Sequence, residues 1–228
     1  MVIANGAVMH VTVSSVAMPL AAPHPFASVL ADVARGLFPP ADGRVEVLPA
    51  LRNDIVAVTE FTAHTVLCAA VTAHEVAARG LHGYGGCTHP EVLLWLAGPH
   101  RSVGSTDVLM VRRGTGHHLA DDTGHGADHP RVRRAHRYRH DVRTFGDEAG
   151  VVLLGRGVAD RLELAVELFD GTAHGAGHGR RLVDLGLRSA PHTEPVWAQV
   201  APGNAASLRA FLAAGFTPVG AEVLLNPN

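Results

Sequence analysis

The sequence predicts a mixed α/β (α+β) fold, and three observations predict it. Val-, Leu- and Thr-rich runs of strand length recur between residues 55 and 225. Between them lie segments with apolar residues at helical spacing, closed by Gly or Pro. Three of the strand-like runs, within 138–168, are joined by tight turns and read as an antiparallel meander.

Residues 1–20 are mildly apolar but lack a basic start, and no run reaches membrane-spanning length, so they are expected to be a poorly ordered leader. Phe26, Val29, Leu30, Val33 and Leu37 fall on one helical face, and Gly36, Pro39 and Pro40 end that helix. Residues 55–61 and 65–71 read as two strands, a hairpin around Thr62-Ala63-His64. Thr88 and Glu91 have the spacing of a capping box before Val92-Leu93-Leu94-Trp95-Leu96, with Gly98 as the stop, which predicts a buried helix. Residues 106–111 read as a strand. Residues 114–128 are rich in Gly, His and Asp without periodicity, and are expected to be a flexible linker between a region over 21–113 and a domain over 129–228. Asp128 can cap a short helix ending near Arg137. The meander follows as 138–145, 151–158 and 162–168, then a helix over 179–190, a strand over 196–200, a helix over 204–214 and a strand over 219–225.

Two motifs carry chemistry. His174-Gly175-Ala176-Gly177-His178-Gly179-Arg180 joins a strand to a helix, with glycine at alternate positions. Glycine lets backbone N–H groups come close to a phosphate, and the helix N-terminus adds a favourable dipole. The second motif, Val200-Ala201-Pro202-Gly203-Asn204, opens a helix that Gly215-Phe216 closes. Asn204 is a good N-cap and Gly215 suits a left-handed C-cap.

In this order of elements, and in these two motifs, the stretch 129–226 resembles the GNAT superfamily of N-acetyltransferases. The resemblance implies a mostly antiparallel central sheet flanked by helices, with residues 21–113 either a degenerate second copy of the fold or an extension; the sequence leaves both open. It implies acetyl-CoA as cosubstrate and no metal. The loop residues His174, Gly175, Ala176, Gly177, His178, Gly179 and Arg180 would hold the CoA pyrophosphate. Leu168 and Phe169 at the strand end, and Asn204, Ser207 and Phe211 on the last helix, would line the pantetheine arm. Glu163, with Glu167 second, would be the general base, and the Leu168 N–H would donate to the thioester carbonyl. Three features depart from the family pattern. The approach from strand to loop is about one residue longer than usual. His174 stands where a long Arg or Gln is usual, leaving backbone donors to suffice or Arg180 or Arg181 to compensate. Phe211 stands where a tyrosine often protonates the leaving thiolate.

On the residues alone, Leu162, Leu164, Val166 and Leu168 alternate with Glu163, Ala165 and Glu167, giving one apolar face and one with two carboxylates. Those carboxylates are expected to be solvated unless they act. His117, His118, His125 and His129, with Asp121, Asp122 and Asp128, match no closed metal motif and are expected to be polar spacers. Arg131, Arg133, Arg134, Arg137, Arg139 and Arg143 form a basic cluster, expected to be mainly a solvated helix face; a hold on the CoA 3′-phosphate or an acidic acceptor is the other reading. A net charge of −2 gives no general pull toward nucleic acid or membrane. All 19 basic residues are arginine, so no lysine can form a Schiff base. Cys68 and Cys87 cannot build a disulfide framework, which suggests a reducing cytoplasm.

Two functions are carried forward. One is direct acetyl transfer from acetyl-CoA to an amine of a small molecule or peptide, with a homodimer left open. The other is a non-catalytic acyl-CoA-binding sensor or scaffold.

Overall fold

A computed structural model describes residues 22–171 and 176–228. The elements run in chain order as α1 (Phe26–Val33), β1 (Val45–Leu48), β2 (Val56–Phe61), β3 (His64–Cys68), α2 (Ala73–Ala78), α3 (Pro90–Ala97) and β4 (Arg101–Arg113). There follow α4 (Pro130–Tyr138), β5 (His140–Asp147), β6 (Gly150–Arg156), β7 (Leu162–Leu168), α5 (His178–Arg188), β8 (Pro195–Val200), α6 (Ala205–Ala213) and β9 (Thr217–Pro227). The expected leader, residues 1–20, lies outside the described residues.

The described strands form one nine-stranded sheet in the order β1-β3-β2-β9-β4-β8-β7-β6-β5. It is mixed and mostly antiparallel; only β1 with β3 and β7 with β8 run parallel. The two halves of the chain are interleaved at its centre. β9, from the C-terminal half, lies between β2 and β4, and β4, from the N-terminal half, lies between β9 and β8.

Side-chain alternation gives the sheet two covered faces. On one, α5 and α6 pack on Met110, Val152, Leu154, Leu162, Leu164 and Val196, while α3 covers Val56, Val58, Val223 and Leu225. Gly186 lets α5 sit directly on β7: a Cβ there would come within 2.4 Å of Leu164 Cδ1. On the other face, Phe26, Leu30 and Val33 of α1 pack on Ala57, Phe61, Leu109, Val111 and Trp197. Val132 and Ala135 of α4 pack on Val151, Leu153 and Ala165. No helix among the described residues is long and apolar enough to cross a membrane.

Several local expectations change. Thr88 does not cap α3; its hydroxyl donates to the Glu60 carboxylate, and His89 and Pro90 start the helix. The capping box forms instead at Thr72 and Glu75, opening α2, which the sequence reading missed. α3 is not buried all round, since Leu94 is 66% exposed opposite the face formed by Val92, Leu93, Leu96 and Ala97. His129, not Asp128, caps α4 by accepting the Arg131 N–H.

The 114–128 segment, expected to be a flexible linker, is tied along its length. Gly116 N–H donates to the Ala190 carbonyl and Ala120 N–H to Ser189. Asp122 accepts the N–H and hydroxyl of Thr144 and the N–H of Gly124, which hold its carboxyl below the usual range. His125 of this segment bonds the Asp147 carbonyl and, with His129 at the start of α4, lies against the Phe169 ring. No group of three or more His, Cys, Asp or Glu among the described residues is placed to hold a metal.

Candidate functional site

β7 and β8 start as a parallel pair and then part. Their register covers Leu162–Val196 and Glu163–Trp197 and goes no further, although β7 runs on to Leu168 and β8 to Val200. The Phe169 N–H donates to the Ala149 carbonyl, and the Gly157 N–H to the Arg161 carbonyl. Odd-numbered residues of β7 therefore turn their backbone groups toward β6. By alternation, Leu164, Val166 and Leu168 turn theirs toward β8, where the ladder has ended. The result is a cleft with backbone donors and acceptors along one wall.

On the α5 side, the cleft leads to the glycine loop. His174 and Gly175 lie outside the described residues; Ala176 and Gly177 are exposed and lead into α5. Gly177 has φ 84°, a left-handed conformation that suits glycine, and its carbonyl accepts the Arg181 N–H. The first N–H groups of α5, from His178, Gly179 and Arg180, have no partner within the helix. Of the two arginines expected to compensate for His174, Arg181 is engaged by Asp147 through a hydrogen-bonded ion pair that pulls the Asp147 carboxyl down to about 2. Arg180 is exposed with no ion pair among the described residues.

Asn204 caps α6 as expected, accepting the Ser207 N–H at 3.0 Å. Asn204, Ser207 and Phe211 all line the cleft. Phe211 is buried, edge-on to Phe216 at 5.0 Å, and has no proton to give. Leu168 packs toward α5, whereas Phe169 turns to the α4 side against its two histidines.

On the α4 side, the cleft widens, and cleft and widening together form one cavity of about 300 Å³. Its lining includes Gly104, Ser105 and Asp107 of β4, Arg131, Arg134 and Arg139 around α4, and Glu163 to Val166 of β7. Glu163, expected to be solvated or acting as a base, is instead only 3% exposed. Arg139 Nε lies 2.7 Å from its Oε2, Arg161 Nε lies 2.9 Å from its Oε1, and the Val158 N–H donates to Oε1. Burial alone would raise this carboxyl, but the two guanidiniums outweigh it and hold it below the usual range. A carboxylate so paired is a weak proton acceptor. Gly157 makes room for it: a Cβ there would lie 2.4 Å from the Glu163 carboxyl carbon. Glu167 is far more open, 3.8 Å from Arg131 Nε.

Arg161 links Glu163 to Glu222, which also accepts from Thr59 and Gln199. This buried network joins β2, β7, β8 and β9. Sequence reading missed it because Arg161 and Glu222 meet only through the fold.

Asp107 was missed as well. It stands directly across from Glu222 on β9, beside a register shift between Val103 and Thr106, and one residue before the Val108–Val200 pair. Desolvation raises its carboxyl above the usual range, with Glu222 adding to the rise, while the Ser105 hydroxyl at 2.7 Å and Arg131 and Arg134 oppose it. The only available signal was its place in a strand-like run beside a glycine.

Neither cysteine offers a nucleophile. Burial pushes the Cys68 thiol up to about 12 and the Cys87 thiol up to about 11.

No protein-family model matches the chain, and no curated protein matches it. Among solved structures, it is similar to a protein assigned to the GNAT family of acetyltransferases from Novosphingobium aromaticivorans DSM 12444. Identity is 13%, over 57% of this chain and 69% of that one, with a TM-score of 0.29.

Proposed function

We propose that the chain is an acetyl-CoA-dependent N-acetyltransferase of GNAT type, acting on an amine. The parting of β7 from β8 carries this reading. An amide-bearing pantetheine arm can continue the broken ladder, using the backbone groups of Leu164, Val166 and Leu168 as an added strand would. Its pyrophosphate would meet the N–H groups of Gly175 to Arg180, at and before the start of α5. Asn204 and Ser207 would flank the arm from α6.

The acetyl group, at the end of the arm away from the pyrophosphate, would then face the α4-side cavity beside Glu163 to Val166; the Leu168 N–H, at the pyrophosphate end, would pair with the arm and not with the thioester carbonyl. The amine attacks the carbonyl carbon, the C–S bond breaks, and the thiolate leaves with CoA. With Phe211 where a proton donor could stand, a proton released by the amine must return to the thiolate by another route. Attack is direct, because both thiols are held protonated by burial.

Phe211 and the sequestered Glu163 favour a second reading, a non-catalytic acyl-CoA-binding module. Incubation with acetyl-CoA and a broad amine panel separates the two. Free thiol released in step with acetylated amine is the expected result; tight CoA binding without turnover of any amine establishes the second reading. Failure to bind CoA at all removes both.

A further inference from the structure

The α4-side cavity contains charges of both signs that are not used up within the protein. Glu163 and Glu222 are matched by Arg139 and Arg161. Asp107 and Arg134 are not. Asp107 is half-buried, and among the described residues its hydrogen-bond partner is the Ser105 hydroxyl, with no guanidinium at ion-pair distance. Arg134 lies at the rim, its guanidinium 5.2 Å from the Tyr138 ring centre, likewise without a carboxylate among the described residues. The two line one cavity and feel each other electrostatically, yet do not close on each other.

A molecule carrying both an ammonium and a carboxylate would match both groups at once. Cleft and cavity together come to about 300 Å³, the small end for ligand sites, so the part beside Asp107 and Arg134 has room for a small acceptor and not a large one. We propose that this cavity is the acceptor subsite and selects a free amino acid, with Asp107 holding the amine and Arg134 the carboxylate. This rests on the acetyltransferase reading. Asp107 would also be a catalytic residue. The amine arrives as an ammonium and gives one proton to the Asp107 carboxylate, which frees its lone pair. After attack, the second N–H proton goes to the departing thiolate, giving the acetamide and CoA thiol. The raised Asp107 carboxyl is better matched to that exchange than Glu163 is. Arg131 lies on the same helix but already has Glu167 nearby, which leaves Arg134 as the carboxylate anchor.

The test compares common L-amino acids with their amides, which keep the amine and side chain but lack the carboxylate. Amide amines are the less basic, so amine basicity alone favours the amides. The expected result is at least about tenfold higher kcat/KM for the acids, the scale of one charge-assisted contact. Arg134→Ala should erase that preference through KM, and Arg134→Lys should restore part of it. Asp107→Asn should lower kcat for acids and amides alike and flatten the acid limb of the kcat/KM pH profile. Equal use of amides, or an acid preference that survives Arg134→Ala, overturns the proposal while the acetyltransferase reading stands. Calorimetry on the amino acid alone separates the other case. Binding that needs Arg134, without any thiol release, keeps the subsite and removes the acetyltransferase reading. Neither binding nor turnover of amino acids overturns the proposal.

Discussion

Arg161 grips Glu222 with both terminal nitrogens, Nη1 to Oε1 at 3.0 Å and Nη2 to Oε2 at 2.5 Å. Its Nε serves Glu163 at the same time. All three side chains are buried, so the contact works as one unit: two carboxylates held inside the sheet by one guanidinium, with Arg139 assisting at Glu163. Arg161→Met would leave both carboxylates short of positive charge. The expected cost is about 3–5 kcal/mol of stability, read by denaturant unfolding, with Arg161→Lys in between because lysine cannot make the two-pronged grip. A loss under about 1 kcal/mol would mean that the network is not closed in solution.

Gly157→Ala tests the seat of Glu163. The added methyl would overlap the carboxyl group, lying 2.5 Å from each oxygen. The collision with the carboxyl group is the penalty read here. An overpacking cost of about 1–3 kcal/mol is expected. For a chain of this length, thermal unfolding should fall by about 2–4 °C per kcal/mol. An unshifted midpoint would show that Glu163 sits elsewhere.

The Asp147–Arg181 pair predicts an acid-sensitive increment of stability. The folded carboxyl is depressed from 3.8 to about 2 by its bond to Arg181. A depressed carboxylate stabilises the fold above its unfolded value, and that stabilisation drains away as pH falls toward the folded value. Asp147→Asn should therefore cost stability at about pH 6, and the difference from wild type should shrink by about pH 2.5. Unfolding by urea at both pH values is the measurement. A difference that stays constant with pH would show that the pair is not formed.

Gly177→Glu should abolish CoA binding. The residue would be strained at φ 84°, and it would set a negative charge beside the N–H groups proposed for the pyrophosphate. Gly177→Ala carries the strain without the charge and should lose much less affinity. Calorimetry with CoA distinguishes them; equal affinity in all three proteins would exclude this loop as the phosphate site.

Much of the C-terminal half was legible because its signals are local. Alternation in 162–168, the Asn204 cap and the left-handed Gly215 each depend on a few neighbouring residues. The meander emerged for the same reason, its turns being short. Thr88 misled because a capping box is only a spacing, and Glu60, far away in sequence, offered its hydroxyl a better partner. Glu163 misled in a different way. Strand alternation marks a face but does not say what covers it, and here the cover is α4 and the Arg139 and Arg161 guanidiniums. Asp107 gave no local sign beyond its place in a strand-like run near a glycine. Its surroundings come from Glu222, Arg131 and Arg134, each from another part of the chain.

The interleaving of β4 and β9 has a consequence for how the chain folds. Strand β9 comes after every other strand in sequence, yet it occupies the middle of the sheet, between β2 and β4. Until it is in place, both of those strands present bare edges, open to pairing with other chains. Closing the sheet also joins segments more than a hundred residues apart, so folding should be slow for the protein's size. Cutting the chain in the 114–128 segment should therefore yield two fragments that aggregate separately but complement each other when refolded together.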